Sequence, residues 1–173
     1  MLQNIQKNAP NIHISCFIAN STSIVGTVTI SKCSSVWYNC TIRGDVNWIK
    51  IGEYTNIQDN SVIHVDHRIN GQTEIGNNVT IGHKCLLHAC KIHNNVLIGM
   101  GSIIMDHTII HENSIVGSGS LVTKNRTIGP NELWLGSPAK FVRKLSDEEV
   151  TYIYQSAKNY HQLVEYYKTH NIK

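Results

Sequence analysis

The run "IHNNVLIGMGSIIMDHTIIHENSIVGSGSLVTKNRTI", residues 92–128, sets an aliphatic residue at every sixth position: Ile92, Ile98, Ile104, Ile110, Val116, Val122 and Ile128. A six-residue period suits no helix, and an ordinary strand alternates every two residues without holding one phase this long. The same period runs earlier through Ile12, Ile18, Ile24, Ile30, Val36 and Ile42. It resumes three residues late at Ile51, Ile57 and Ile63, continues at Ile75, Ile81 and Leu87, and slips by one to Ile92. Ile69 keeps the phase, but its setting "HVDHRINGQT" (64–73) is polar and reads as a loop. A short strand followed by a turn, repeated, would stack β-branched residues inward coil after coil. "IG" at 51–52, 75–76, 81–82, 98–99 and 128–129, "VG" at 116–117 and "NN" at 77–78 and 94–95 supply residues that tolerate positive φ at the corners. The competing fold is a β-sandwich, disfavoured by the absence of two-residue alternation between repeats.

The rest of the chain fits one globular domain. Of 173 residues, 41% are hydrophobic and 16% charged, with a net charge of +3. Lys and Arg form no basic run interleaved with aromatics, so nucleic acid is not an expected partner. No apolar segment approaches the roughly 20 residues of a membrane span, and the opening "MLQNIQKNAPNIHIS" lacks the apolar core of a secretory signal, which points to the cytoplasm. The five cysteines, at 16, 33, 40, 85 and 90, contain no C-x-x-C pair and read as reduced, partly buried thiols.

Ser146 with Glu149 forms a capping box, and Asp147 and Glu148 suit a helix N-terminus. Val150, Ile153, Ala157, Tyr160, Val164 and Tyr167 make one apolar stripe, predicting a helix over about 146–169 that Pro138 and its neighbours turn back along the solenoid. The expected division is a solenoid over 1–145 and a packed helix over 146–173. Tyr160 is expected to pack against a coil rather than serve a site.

Over residues 12–134 the pattern resembles the hexapeptide-repeat family. That resemblance implies an all-β solenoid, a left-handed parallel β-helix with three hexads in each triangular coil.

Ten histidines make the chain unusual. His64 and His88 each follow an inward aliphatic residue, and they lie 24 apart, one coil of 18 plus six. If the polar loop supplies the six, the two stack on adjacent coils about 4.8 Å apart and can share a metal ion. His83 stands second after Ile81, five residues from His88, an extended span of up to about 16 Å. With nitrogen–metal bonds near 2 Å, it reaches that ion from a neighbouring copy rather than from its own chain, as in a cyclic trimer. His93 and His111 stack in the same way but show no third partner in the sequence. His13, His107, His161 and His170 read as surface residues.

At these residues the string "RGDVNWIKIGEYTNIQDNSVIHV…TIGHKCLLHAC" is similar to the γ-class carbonic anhydrase family. The matching elements are Arg43 and Asp45, Gln58 and Asp59, His64, and the spaced pair His83 and His88; "NVLIGMGS" (95–102) and "LWLGSPAK" (133–140) match further segments. The resemblance implies that His64, His83 and His88 bind Zn²⁺, or Fe²⁺ in some members, at the interface of a homotrimer. It implies hydration of CO₂ to bicarbonate by a metal-bound hydroxide, the ion lowering the pKa of water to about 7. Gln58 would orient the hydroxide, and Arg43 would pair across the interface with Asp45 or Asp59. Val46 stands where characterised members carry a Glu, and the loop after His64 is short, leaving Asp66 or His67 as candidate proton carriers and implying weak turnover. A coenzyme A-dependent acyltransferase, a thioesterase using the same centre, and a non-catalytic trimer with an interface metal remain alternatives.

Overall fold

The computed structural model describes residues 9–172. The N-terminal stretch 1–8, on which part of the signal-peptide reading rests, and Lys173 lie outside it.

The chain winds as a parallel β-solenoid, and its register follows the aliphatic period. Ile12 lies opposite Ile30, Ile92 opposite Ile110, and Ile98 opposite Val116, each pair 18 positions apart. Where the sequence slips, the coil changes length and the columns stay aligned. Ile30 meets Ile51, three residues late, because Thr41–Ile51 carries an insertion; Ile51 meets Ile75 after the polar loop, in which Ile69 is 90% exposed. Ile75 meets Ile92, one residue early.

Three inward columns result. The first face runs through Ile30, Ile51, Ile75, Ile92, Ile110 and Ile128, the second through Val36, Ile57, Ile81, Ile98 and Val116, and the third through Ile42, Ile63, Leu87, Ile104 and Val122. All of these side chains are buried. The long strands Ser23–Ile30 and Thr41–Ile51 bend from the third face into the first and join the two into one sheet. Each branched side chain packs on its equivalents above and below, which removes it from water at about 25 cal/mol per Å² of apolar area.

The corners obey a stricter rule than the sequence suggested. At most corners from Ile30 onward the residue three past the inward position takes positive φ, as at Asn39, Asn60, Asn78, Asn95, Asn113, Asn125 and Asn131. The glycines of the "IG" pairs do not: among the described residues they keep ordinary φ. Their lack of a side chain answers a different demand, close approach of the next coil. A Cβ on Gly82 would lie 2.7 Å from the Met100 nitrogen, and one on Gly99 would fall on the Ser118 nitrogen. Gly101, by contrast, does sit at a corner with φ +70° and has open space around its Cβ position.

Past the last coil, Glu132–Gly136 and Ala139–Lys144 form an antiparallel hairpin around Ser137–Pro138. The sequence predicts the reversal at Pro138 but not these two strands, which turn the chain before the helix Asp147–Thr169 begins. The capping box is present: the Glu149 amide donates to Ser146 Oγ at 3.3 Å, and the Ser146 amide donates to Glu149 Oε2 at 3.0 Å. Ile153, Ala157 and Val164 bury against the second face. Tyr160 and Tyr167 meet Trp37 edge-on at 5.5 and 5.1 Å, so Tyr160 packs as expected. The cysteines of the described residues are free, and burial pushes Cys40 and Cys85 up to about 11 and Cys90 to about 12. No described helix is long and apolar enough to cross a membrane.

Two outcomes follow from this packing. Gly99→Ala forces two coils apart and costs about 2–3 kcal/mol, whereas Gly101→Ala meets only the left-handed backbone penalty of about 1 kcal/mol; urea unfolding of both variants measures the gap. Hydrogen bonds from Arg143 and then from the Ser146 amide hold Glu149 down at about 2, from an ordinary 4.5. Because its folded value is the lower one, its stabilisation is complete above about 4.5 and fades as pH falls toward 2. The melting-temperature advantage of wild type over Glu149→Gln should therefore vanish at the acid end of that window.

Candidate functional site

The third face carries the site-forming residues at its two edges. At the edge where each coil passes from the third face to the first stand His64, closing the strand Val62–His64, and His88, closing Leu86–His88. The two residues are in register on adjacent strands, with ring centroids 5.2 Å apart. The six extra residues are accommodated by the 66–72 loop, as the spacing required.

Carboxylates hold both rings. His64 Nε2 lies 3.1 Å from Asp45 Oδ1, and His88 Nδ1 is hydrogen-bonded to Asp106 Oδ1. Asp45 in turn receives Arg43 of its own chain. Residues two apart on an extended strand project to the same side, which lets the two meet. Burial tends to raise the Asp45 carboxyl, but hydrogen bonds from Arg43 and His64 outweigh it and leave the group below the usual carboxylate range. Asp106 behaves alike, with burial outweighed by His88 and by Lys124, whose Nζ lies 3.0 Å away. Burial is also the largest influence on His64; with the Arg43 charge it lowers the imidazole despite Asp45, favouring the neutral, ligand-competent form.

The opposite edge, between the second and third faces, holds Gln58, Asp59 and His83. His83 Nδ1 pairs with Asp59 Oδ2 at 2.8 Å, one coil above the other. Gln58 is buried, and its amide nitrogen donates to Asn56 Oδ1 at 3.1 Å. Asn56 donates to Thr80 Oγ1 at 3.0 Å, and Thr80 Oγ1 lies 3.2 Å from Ser156 Oγ on the helix. This chain of bonds orients Gln58 so that its carbonyl oxygen remains available.

The chain thus brings His64 and His88 together and keeps His83 and Gln58 apart from them; among the described residues these three imidazoles do not converge within one chain. Each nevertheless has one ring nitrogen on a carboxylate and the other left over, the arrangement that fixes metal-ligating histidines. Three imidazoles are a donor set that fits a divalent ion of the zinc type. Asp106 was missed in the sequence, although it lies 18 past His88 and 18 before Lys124.

Between the two edges, the outward positions of the third face form an apolar stripe. Val62, Leu86 and Ile103 are paired in register and exposed at 38, 41 and 40%. Outward positions of the first face are mostly polar, as at Lys50, Glu74 and Lys91, with Ile109 the aliphatic exception among the described residues, and the helix packs over the second. The loop candidates form a pair: His67 Nδ1 lies 3.0 Å from Asp66 Oδ1, while Asp66 also accepts the Arg68 amide. Val46 packs against the core.

Comparison with known proteins places this architecture. Residues 89–124 match the family model for the bacterial transferase hexapeptide (six repeats). The chain is 42% identical over 168 residues to the carbonic anhydrase of Geobacillus kaustophilus, covering 97% of this chain and 91% of that protein. It is 44% identical over 176 residues to the mitochondrial gamma carbonic anhydrase 2 of Arabidopsis thaliana, covering 99% of this chain but 63% of that longer protein. The crystal structure of a hexapeptide transferase family protein from Anaplasma phagocytophilum superposes with a TM-score of 0.87 at 47% identity, covering 91% of this chain and 92% of that one. With its three inward columns and its split set of carboxylate-held histidines, the chain belongs to the γ-class carbonic anhydrase family of hexapeptide-repeat proteins.

Proposed function

We propose that the protein is a metal-dependent carbonic anhydrase, hydrating CO₂ reversibly to bicarbonate at sites shared between copies of the chain in a homotrimer. The observation that carries this reading is the division of the three carboxylate-held histidines between two edges that flank an exposed apolar stripe. Burying Val62, Leu86 and Ile103 against another copy would bring the His83 edge of one chain to the His64–His88 edge of the next. Zinc is the expected ion, with Fe²⁺ the other candidate.

His64, His88 and the His83 of a neighbouring copy would hold the divalent ion, which would supply Lewis acidity to make water a nucleophile near neutral pH. The protein's own groups do the rest. Asp45, Asp106 and Asp59 fix the three rings and leave the other nitrogen of each for the ion. Gln58, held by Asn56, offers its carbonyl oxygen to orient the attacking water. Arg43 braces Asp45, and the Asp66–His67 pair at the adjacent loop is the candidate carrier for the released proton. The loop offers no further carboxylate before Glu74, so proton release should limit turnover.

A second reading, acyl transfer or thioester hydrolysis, draws on the transferase family description of the Anaplasma relative. It uses the same fold on an acyl-CoA substrate. The three histidines weigh against a transferase, which needs one of them as base.

Subunit mixing tests the shared site. His83→Ala and His88→Ala should each abolish CO₂ hydration, and unfolding and refolding the two together should restore about a quarter of the sites, since half the edges of each kind remain intact. Inactivity of the mixture under conditions that return refolded wild type to full activity would sink the shared site; acyl-CoA hydrolysis without CO₂ hydration in wild type would favour the second reading. Asp106→Asn, which keeps the shape but loses the charge on His88, should weaken metal binding about 10–100-fold in a chelator competition.

A further inference from the structure

The remaining edge of the solenoid, between the first and second faces, carries another constellation. His93 follows Ile92 and His111 follows Ile110, and their strands Lys91–Ile92 and Ile109–Ile110 pair in register. The imidazoles stack with centroids 4.9 Å apart and planes inclined by 17°. The sequence showed no third partner for them, but the corner after Ile110 swings Glu112 alongside. Its carboxylate lies 3.9 Å from His111 Nδ1. One nitrogen from each ring and one Glu112 oxygen lie within 4.8 Å of one another.

The surroundings leave this group free to bind. The positions stacked beyond it in the two neighbouring coils are Gly76 and Gly129, which set no side chain of their own over the rings, although Asn94 Oδ1 approaches the first and the Glu132 carboxylate the second. Lys91, the nearby cation, is engaged by Glu74 at 3.2 Å. Burial first, and then repulsion from His111, hold His93 below the ordinary histidine range. Both rings are half-buried and Glu112 is exposed.

We propose that His93, His111 and Glu112 form a second, independent site for a divalent transition ion, clamping two successive coils together. Two imidazoles and one carboxylate are a borderline donor set that suits Zn²⁺, Ni²⁺ or Cu²⁺ and disfavours Ca²⁺ and Mg²⁺, which prefer all-oxygen shells. Bonds of about 2 Å need donor atoms about 3.4 Å apart, a closure that rotation of the side chains supplies without moving the strands. Remaining coordination positions face solvent, so water completes the shell. The site bridges the hydrogen-bonded coils and shares no residue with the His64–His83–His88 set; its outcome does not depend on the catalytic reading.

The test removes the other set first. A metal-stripped chain carrying His64→Ala, His83→Ala and His88→Ala is titrated with Zn²⁺ by calorimetry at pH 7.5. One equivalent per chain should still bind and raise the melting temperature. Adding His93→Asn or His111→Asn should abolish that binding, and Glu112→Gln should weaken it about tenfold or more. In the otherwise wild-type chain, nitrogen resonances of His93 and His111 should shift together on Zn²⁺ addition, a measurement that stands even if the triple variant folds poorly. Unshifted resonances, no uptake by a folded triple variant, or uptake indifferent to His93→Asn and His111→Asn would each overturn the proposal.

Discussion

Everything in this molecule hangs on one stacking constraint: an aliphatic side chain must fall directly over its equivalent in the next coil. A single misplaced branch would leave a void and push its polar neighbours inward. Interiors packed to crystal-like density tolerate neither. The chain meets the constraint while changing coil length. The insertion inside Thr41–Ile51 and the 66–72 loop project from corners, the contraction before Ile92 tightens one, and the columns pass through all three unbroken. Function is placed by the same rule, since a residue one or two past an inward position is aimed outward at a defined edge and height.

This is why so much was legible from residue numbers. The partnership of His64 and His88 follows from 24 being one coil plus a loop, and the isolation of His83 follows from its position on another edge. What escaped was chemistry that crosses coils at offset positions. Asp106 reaches His88 from one step past the stacked residue, and Glu112 reaches the His93–His111 pair around a corner. Arg43 keeps register with Val25, one past an inward position, but its partner Asp45 lies in the insertion beyond Gly44, where the six-residue period says nothing about direction. The glycines were assigned to the wrong physics. A period reveals which residue is small, whereas only the approach of Met100 to Gly82 and of Ser118 to Gly99 reveals why.

The three faces divide labour by outward chemistry. One is mostly polar, one lies under an amphipathic helix, and one shows aliphatic side chains to solvent between two edges of carboxylate-held histidines. The helix does more than cover its face. Through Ser156, Thr80 and Asn56 it reaches Gln58, so the attitude of a proposed substrate-facing amide depends on a segment some hundred residues later in the chain.

That helix also acts as a ruler. It starts beside the terminal hairpin, where the Leu145 amide bonds the Asn131 carbonyl, and ends where Lys168 Nζ donates to the Ser15 carbonyl in the first coil at 2.8 Å. Its 23 residues measure about 34 Å at 1.5 Å each. One more coil would lengthen the rod by about 4.8 Å, or some three helical residues. Lineages that add or lose a coil must therefore lengthen or shorten the helix in step, so the number of coils and the length of the C-terminal helix should vary together.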